Sequence, residues 1–465
     1  MEKEVDGLGT KSKLGPAHVL VFGFLGIIVI GTVLLMLPIS SNAGIVTPLI
    51  DALFTATSAV CVTGLVVQNT LEYWSLFGKM VIIICIQIGG LGFMTLVSII
   101  FMVMGKRITL KNRLVMQEAL SFNTQAGVVR FTQLIVKLTF FIEGLGALFL
   151  SFVFIPEYGL GKGICYSIFH SISAFCNAGF DIIGQNSLMP YVGNEWFNLA
   201  IMWLIICGGL GYTVWLDTYQ ALKLKLSSAE HFTWRQAFYK LSLHTKLVWI
   251  ITLLLIFGAF IFFFVAEFNN PATLGPLSLM DKITAAMFQA VSPRTAGFNT
   301  ISLSDLTTGS QLATIFLMFI GGSPAGTAGG IKTVTVGVLV ICAFSVLKGN
   351  HTVVVFRKKI AIEQVLKALT VIIIAILIVS VMLAILTFTE DATFMELLFE
   401  TVSAFATVGL TLGITGGLSF IGKIIIIALM FIGRVGLITI GVALVVTQSK
   451  NPSGIQYPEE KVLVG

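Results

Sequence analysis

Charged residues are scarce in this chain, at 11% of its 465 residues, and the deficit excludes an ordinary soluble domain. Soluble globular domains carry about 25% Asp, Glu, Lys and Arg. Apolar residues instead make up 56% of the chain, and its mean hydropathy is +0.98. Lipid must therefore solvate much of the surface, which predicts an integral membrane protein.

Histidine and cysteine are also few, at 5 and 6 residues, and none shows the spacing of a metal site. The cysteines lie in or beside apolar segments, where cysteine acts as a small buried hydrophobe rather than as half of a disulfide. The sequence also shows no catalytic cluster of acid, base and nucleophile and no nucleotide-binding motif. We therefore expect no covalent cofactor and no enzymatic activity.

The chain begins with no recognisable export signal. Residues 1–13 are polar and charged, and Pro16 leads directly into a long apolar run. A cleavable signal would instead have a short apolar core and a small-residue cleavage site. We therefore expect residues 1–16 and 448–465 to be cytoplasmic tails, the second available for a dimer or partner contact.

Apolar runs recur along the chain, each long enough to cross a bilayer, which takes about 20 residues. They lie at about 18–38, 77–104, 130–155, 197–221, 246–266, 311–346, 368–388 and 420–447. Shorter amphipathic segments lie between the members of successive pairs, at about 48–60, 163–175, 280–291 and 393–405. This order predicts an all-α membrane protein with eight transmembrane crossings.

Each short segment leads into a turn that ends in glycine. The four stretches are 57–64, 172–179, 291–297 and 402–409, and their final glycines lie 115, 118 and 112 residues apart. A fixed long period indicates one structural unit repeated around an axis. We therefore predict four pseudo-symmetric repeats of outer helix, re-entrant pore helix, turn and inner helix around one pore. Their boundaries are 17–104, 105–222, 223–346 and 347–447, the second and third beginning with cytoplasmic linkers.

The distribution of basic residues predicts the orientation. Both tails and the connections at 105–129, 222–246 and 347–367 contain 19 Lys and Arg residues together, whereas the opposite loops hold only Lys162 and Lys282. Basic loops stay in the cytoplasm. The glycine turns therefore face outward, and the net charge of +6 does not indicate binding of nucleic acid.

The turns have the composition of a potassium filter, because rings of backbone carbonyls can replace the hydration shell of the ion. Glycine permits the required backbone angles, and no turn places an acidic side chain on the ion path. Re-entrant packing turns of a two-repeat carrier are the alternative, but four copies favour a pore. We expect K⁺, the only metal, to be bound by Cys61, Val62, Thr63, Gly64, Asn177, Ala178, Gly179, Thr295, Ala296, Gly297, Thr407, Val408 and Gly409.

The third turn differs from the others. Ser292 lies five residues before its glycine, whereas the corresponding serines lie six residues before theirs. This difference predicts that the ion-binding site is locally asymmetric at the third turn. Arg294 also lies in this turn, and we expect its side chain to point into the protein wall, toward an acid such as Glu400. Direct discrimination between ions is the alternative role of Arg294.

Glycine-rich motifs mark the inner helices, at 89–93, 208–212, 321–324 and 433–436. They support fourfold pseudosymmetry, and close helix packing through small residues is the alternative explanation. Only the third helix is predicted to be interrupted, because 321–333 contains five glycines and a proline. An unwound segment at membrane depth must line a cavity. We predict a gating plug of Gly321, Gly322, Ser323, Pro324, Ala325, Gly326, Thr327, Ala328, Gly329 and Gly330, together with Lys332 and Arg434.

Two of these residues have an alternative role. Arg434 either holds the gate closed or is a buried arginine neutralised by carbonyl groups. Lys332 either belongs to the gate or reaches cytoplasmic water. A third intramembrane charge, Glu143, has a polar neighbour as its expected partner and receives no role in transport.

Together the four turns, their pore helices and the interrupted third inner helix resemble the Ktr/Trk/HKT superfamily of potassium transporters, most closely the Ktr membrane subunit (KtrB). The resemblance covers essentially the whole chain. It implies potassium uptake, often sodium-dependent, by a homodimer with one pore per protomer. It also implies a plasma-membrane location and regulation by a cytosolic ring of nucleotide-binding (KtrA-like) subunits. Sodium-coupled symport and a Trk-type system remain alternatives, and Gly64 favours potassium because related plant transporters that prefer sodium have serine there.

Overall fold

The computed structural model describes residues 16–92, 95, 128–227, 233–350 and 352–444. Nearly all of the two predicted tails and of the 105–129 connection lie outside these ranges. The expected contact of the C-terminal tail with a partner lies outside them as well.

One order of helices recurs along the described chain: a long outer helix, a short pore helix and an inner helix. The first set is α1 (Pro16–Met36), α2 (Leu49–Val60) and α3 (Leu76–Leu91). The second is α4 (Val128–Tyr158), α5 (Leu160–Phe175), and an inner helix in two halves, α6 (Glu195–Gly209) and α7 (Tyr212–Ser227).

The third set follows the short helix α8 (Trp234–Lys240) and consists of α9 (Leu243–Glu267), α10 (Leu279–Val291), α11 (Thr308–Phe319) and α12 (Thr333–Leu347). A two-residue antiparallel hairpin, β1 (Val354–Val355) with β2 (Lys358–Lys359), precedes the fourth. That set is α13 (Ile362–Thr389), α14 (Phe394–Ala406), α15 (Phe420–Val435) and α16 (Leu437–Leu444).

Hydroxyl side chains fix where many of these helices begin. Ser75 accepts a hydrogen bond from Gly78 N at the start of α3, and Ser419 accepts one from Gly422 N at the start of α15. Thr393 and Glu396 form a reciprocal capping box at the start of α14. Each cap satisfies amide groups that have no partner within the helix.

Within the described residues, four helices, α1, α4, α9 and α13, are long and apolar enough to cross a membrane. A fifth span results if α6 and α7 count as one despite a bend of 98° between them. The other inner helices are divided into pieces of at most 16 residues within the described chain. Eight crossings therefore stay a prediction, because this count treats each inner helix as one span.

The prediction that only the third inner helix is interrupted is wrong. The second breaks between α6 and α7 and the fourth breaks at Gly436, while α3 ends at Leu91, with Gly92 as its C-cap. The break glycines Gly92, Gly211 and Gly436 have φ values of +82°, +88° and +92°. Glycine adopts these angles without strain, and an apolar run gives no sign of them.

Close packing explains the glycines that precede these breaks. A Cβ atom on Gly89, Gly208 or Gly433 would collide with the carbonyl oxygen of Val60, Phe175 or Phe405, respectively. Each of these carbonyls lies at the end of a pore helix, four residues before the turn glycine. The inner helices therefore contact the bases of the turns directly, as the small-residue motifs predict.

The pore helices form the centre of the fold, and the outer helices cover it. Aromatic side chains such as Phe54, Phe288 and Phe405 on the pore helices are almost completely buried. Apolar side chains of the outer helices are exposed instead, reaching 91% for Phe388. A buried centre with an apolar exterior is the arrangement that lipid requires.

Candidate functional site

The four turns share positive φ at two corresponding positions. Two residues before each glycine, a non-glycine residue adopts positive φ, at 53° for Val62, 57° for Asn177, 69° for Thr295 and 52° for Thr407. The glycines also have positive φ, at 91°, 69°, 80° and 92° for Gly64, Gly179, Gly297 and Gly409. Left-handed non-glycine residues are uncommon, and surrounding structure must impose them.

The turns also close into a ring. A Cβ atom added to Gly64 would collide with Ala178 O of the second turn, and one on Gly179 would lie 2.8 Å from Ala296 O of the third. The same atom on Gly297 would collide with Val408 O of the fourth turn, and on Gly409 with Thr63 O of the first. Each glycine thus packs on the carbonyl that precedes the next glycine, in cyclic order. Any side chain at these positions would push the ring apart.

Buried hydroxyl groups near this ring lack partners. Thr63 Oγ1 and Thr407 Oγ1 lie in the first and fourth turns, and neither has a hydrogen-bond partner among the described residues. An unsatisfied buried hydroxyl costs about 1–3 kcal/mol. A water molecule or a cation would supply the missing partner of such a group.

Serines at the ends of the pore helices hold the turns in two ways. Ser58 Oγ and Ser403 Oγ each accept a hydrogen bond at 3.1 Å from the turn glycine, Gly64 N and Gly409 N. In the second and third turns the serine donates instead, Ser173 to Phe180 O at 2.6 Å and Ser292 to Phe298 O. The serine therefore accepts in the first and fourth turns and donates in the second and third, although all four turns have positive φ at the same two positions.

The third turn has one residue fewer between its serine and its glycine than the other turns. This difference is accommodated at the end of the pore helix, before the ring. Ala296 N donates to Ser292 O, four residues back, at 2.9 Å. The corresponding bonds of the other turns span five residues, as from Thr63 N to Ser58 O at 2.8 Å. The predicted local asymmetry therefore lies at the end of the pore helix, whereas Thr295 and Gly297 keep the positive φ of the corresponding residues in the other turns.

Arg294 points into the protein wall, with 7% of its surface exposed, but it does not reach Glu400. Its Nη2 lies 3.3 Å from Thr252 Oγ1 on α9, whereas Glu400 accepts a hydrogen bond from Thr415 at 2.5 Å. The suggested pairing is thus wrong. Arg294 follows the C-terminal end of α10, where the helix dipole favours a cation without a carboxylate partner.

The segment at 320–332, hereafter the central loop, lies directly against the turns. A Cβ atom on Gly330 would lie 3.1 Å from Ala406 O, and one on Gly329 would collide with Thr407 Oγ1. Thr327 Oγ1 donates to Phe175 O, at the base of the second turn, at 3.0 Å. The structure thus brings the predicted plug residues next to the ring.

Two cations bind consecutive carbonyls of the central loop. Arg434 donates to Thr327 O through Nη1 and to Gly89 O through Nη2, so it links the loop to the first inner helix. Lys332 Nζ donates to Ala328 O at 2.8 Å. Both predicted gate cations therefore contact backbone carbonyls rather than carboxylates.

Glu143 lies at the base of the second turn. Gln87 Nε2 donates to its two carboxylate oxygens at 3.0 and 3.3 Å, and Cys176 Sγ lies 3.8 Å from Oε1. The expected polar partner is therefore Gln87, on α3. The carboxylate joins the second outer helix to the first inner helix behind the ring.

Sequence reasoning missed a set of donor side chains near the start of the inner helices. Each lies four residues after a capping residue: Ser75, Asn194, Thr307 or Ser419. A recurring Ser-x-x-Gly-Lys in the first and fourth repeats was the available signal. Three donate to loop carbonyls of their own repeat and one to a carboxylate: Lys79 to Leu71 O, Asn198 to Tyr191 O, Gln311 to Ser304 O, and Lys423 to Asp51.

No cluster of three or more His, Cys, Asp or Glu side chains that could hold a metal ion occurs in the part of the chain that the structure describes. The groups described at this centre are backbone carbonyls, hydroxyl groups, the Glu143 carboxylate and the two cations.

The sequence matches the TrkH family, described as cation transport protein, over residues 17–454. It is 44% identical to Ktr system potassium uptake protein B of Bacillus subtilis over 452 residues, covering 97% of each chain. It is also 40% identical to potassium/sodium uptake protein NtpJ of Enterococcus hirae, covering 98% of each. The crystal structure of the potassium transporter TrkH from Vibrio parahaemolyticus has the same fold, with a TM-score of 0.71 at 19% identity, over 94% of this chain and 85% of that one.

Proposed function

Because the chain belongs to the TrkH family of cation transport proteins, we propose that it is the ion-translocating membrane subunit of a potassium uptake system. The family transports cations, and the chain is not an enzyme. The apolar outer helices make it a multi-pass membrane protein. Its plasma-membrane location, with both termini in the cytoplasm, is part of the proposal.

The closed ring of four turns is the observation that carries this proposal. Each of Gly64, Gly179, Gly297 and Gly409 meets the carbonyl that precedes the next of these glycines in cyclic order. Such a ring can replace the hydration shell of a potassium ion. Pore helices that end at the turns also direct the negative ends of their dipoles toward the centre. The turn residues then form a selectivity filter, and K⁺ is the transported ion.

Potassium rather than sodium is proposed on two grounds. Curated relatives at 44% and 40% identity are named for potassium uptake and for potassium/sodium uptake. Gly64 also keeps the first turn free of a side chain oxygen. The second relative's name is compatible with sodium as an activator or a coupled ion, so sodium-coupled symport stays the alternative mechanism.

The proposed architecture has four pseudo-symmetric repeats, one pore per chain and eight crossings. It is supported by the recurring order of helices, the shared turn conformation and the cyclic contacts of the glycines. The divided inner helices would cross as bent pairs, each broken next to the ring.

The central loop is the proposed gate. It lies against Ala406 and Thr407, and Arg434 and Lys332 bind its carbonyls. In the closed gate that we propose, the two cations bound to the loop would repel potassium until the loop moves. Opening therefore requires that Thr327 O and Ala328 O be released.

Control of this gate is proposed to come from another protein. The sequence contains no nucleotide-binding motif, and the relative at 44% identity is named as one protein of a Ktr system. We infer a homodimer that docks on a cytosolic, KtrA-like ring of nucleotide-binding subunits. A Trk-type system with a different soluble subunit is the alternative.

Rubidium influx into liposomes that contain the purified full-length protein tests the function. We expect influx that potassium inhibits, and a larger influx after deletion of residues 326–330. Expression in a bacterium that lacks potassium uptake should restore growth at low potassium. Absence of rubidium influx through both the wild type and the deletion variant, at matched insertion into the bilayer, would overturn the proposal.

A further inference from the structure

The break in the second inner helix leaves carbonyl groups at the C-terminal end of α6 without partners in the helix. A helix end exposes its last carbonyls in this way, and buried carbonyls need other donors. Trp215 Nε1, on α7, donates to Cys207 O at 2.9 Å. The next two carbonyls, Gly208 O and Gly209 O, have no donor from α7 among the described hydrogen bonds.

The central loop supplies the missing donors. Ser323 N donates to Gly209 O at 2.9 Å, and Thr327 N donates to Gly208 O at 3.3 Å. In return, Tyr212 N, at the start of α7, donates to Ala325 O at 2.9 Å. Backbone bonds thus run in both directions between the break and the loop.

The glycines of the break leave no space for a larger residue. A Cβ atom on Gly211 would lie 2.5 Å from Pro324 O of the loop. From the other side, a Cβ atom on Gly326 would lie 3.0 Å from Gly208 O and 3.3 Å from Gly211 Cα. The loop and the break therefore pack backbone against backbone.

The glycines that follow α3 and α15, Gly92 and Gly436, lack this contact among the described residues. A Cβ atom on Gly92 would meet nothing within 4 Å, and one on Gly436 would meet only Thr439 Oγ1, at 4.0 Å, within the described chain. Yet all three break glycines have nearly the same φ, from +82° to +92°. The second break differs from them in what it contacts, not in its own conformation.

We propose that residues 208–212, hereafter the cradle, are the docking site that holds the central loop closed, with Gly211 as a positioning residue. The inference rests on the proposed gating function of the loop. It assigns the loop a docking site in addition to its contacts with Arg434 and Lys332. When the loop leaves, Gly208 O and Gly209 O lose their donors, and water entering an open pore would replace them. The bend of 98° thus has a role beyond helix packing.

Three alanine variants test the cradle because they are matched in backbone strain. Gly211→Ala, Gly92→Ala and Gly436→Ala each place alanine at a similar positive φ, but only the first would displace the loop. Rubidium influx is measured in liposomes with no soluble subunit, beside the wild type and the 326–330 deletion. Melting temperature and the rubidium-to-sodium ratio are measured for each.

We expect Gly211→Ala to raise influx about tenfold, equivalent to about 1.4 kcal/mol lost from the closed state, because the added methyl group displaces Pro324 O and weakens the two loop donor bonds to the break. The two controls should lose a similar amount of stability without this rise. The rubidium-to-sodium ratio should be unchanged in all three, since the ring is intact. A merely structural role would change stability and leave influx at the wild-type level.

Failures of the cradle and of the gate can be distinguished. If the deletion raises influx but Gly211→Ala matches its two controls, the cradle is wrong and the gate stands. If the deletion leaves influx unchanged, the gate itself is wrong. Should Gly211→Ala fail to insert, Gly326→Ala decides, because it disturbs the same contact from the loop side without positive φ; an unchanged influx would overturn the cradle.

Discussion

Lys423 Nζ lies 2.8 Å from Asp51 Oδ1, which joins the fourth inner helix to the first pore helix. These residues are 372 positions apart in the chain. Gln68 Nε2 donates to the other carboxylate oxygen at 3.3 Å. The pair thus connects the last set of helices to the first, at the one junction in the ring of turns where the neighbours are not consecutive in the chain.

Lys423→Met should weaken this junction. The side chains of the pair are 16% and 9% exposed, so loss of one partner leaves a largely buried charge. We expect a loss of about 1–3 kcal/mol after allowance for solvent screening, and a lower potassium-over-sodium ratio. Thermal unfolding and liposome flux measure the two effects.

Lys79→Met is the matched control for this change, because Lys79 has the same position after its capping serine but donates only to Leu71 O. It should change selectivity much less. Exchange of the charges, Asp51→Lys with Lys423→Asp, should recover part of the lost stability. Equal selectivity in Lys423→Met and Lys79→Met would show that the junction does not position the ring.

Gly64→Ser should reduce potassium selectivity. Its Cβ atom would collide with Ala178 O, and its φ of +91° disfavours any side chain. Gly44→Ser is the control, because Gly44 also has positive φ, at +66°, but faces open space. The permeability ratio of potassium to sodium should fall only in Gly64→Ser; an unchanged ratio would remove the first turn from the filter.

Arg434→Lys should open the gate although it keeps the charge. The guanidinium contacts Thr327 O and Gly89 O with separate nitrogens, whereas an ammonium group is a single point donor on a shorter reach. We expect influx to rise severalfold without the soluble subunit. If Arg434→Lys keeps the wild-type influx while Arg434→Ala raises it, charge rather than two-point contact closes the gate.

Thr252→Val should destabilise the third turn, because it removes the hydroxyl that Arg294 Nη2 contacts at 3.3 Å. Loss of a hydrogen bond to a charged group costs about 1.5–3 kcal/mol. Glu400→Gln should have a smaller effect, since the amide oxygen can still accept the bond from Thr415. Melting temperatures compare the two; a larger loss in Glu400→Gln would restore the suggested Arg294–Glu400 pairing.

The sequence predicted the pore helices closely because their borders carry local signals. The segment predicted at 393–405 is the helix Phe394–Ala406, which begins at the Thr393 cap and ends at the turn. Likewise, the segment at 48–60 is the helix Leu49–Val60. The turn glycines were recognisable from their spacing, although only the structure brings all four into contact.

The breaks and side-chain partners were not predictable for physical reasons. Gly211 lies in an apolar run whose hydropathy is the same for a straight and a bent helix. The partners of Arg294 and Lys423 are on distant helices, so no local spacing indicates them. The repeated glycine motifs indicated close packing, and this expectation was useful. The motifs pack against the ends of the pore helices, and one of them also contacts the central loop.

Anomalous diffraction from crystals grown in rubidium tests the central claim most directly. The ring of turns predicts rubidium density on its axis, at the level of the carbonyls of Thr63, Ala178, Ala296 and Val408, which precede the four glycines. Potassium should compete for the same position. Rubidium bound elsewhere in the membrane region, with an empty ring, would contradict the assignment of the four glycine turns as the selectivity filter.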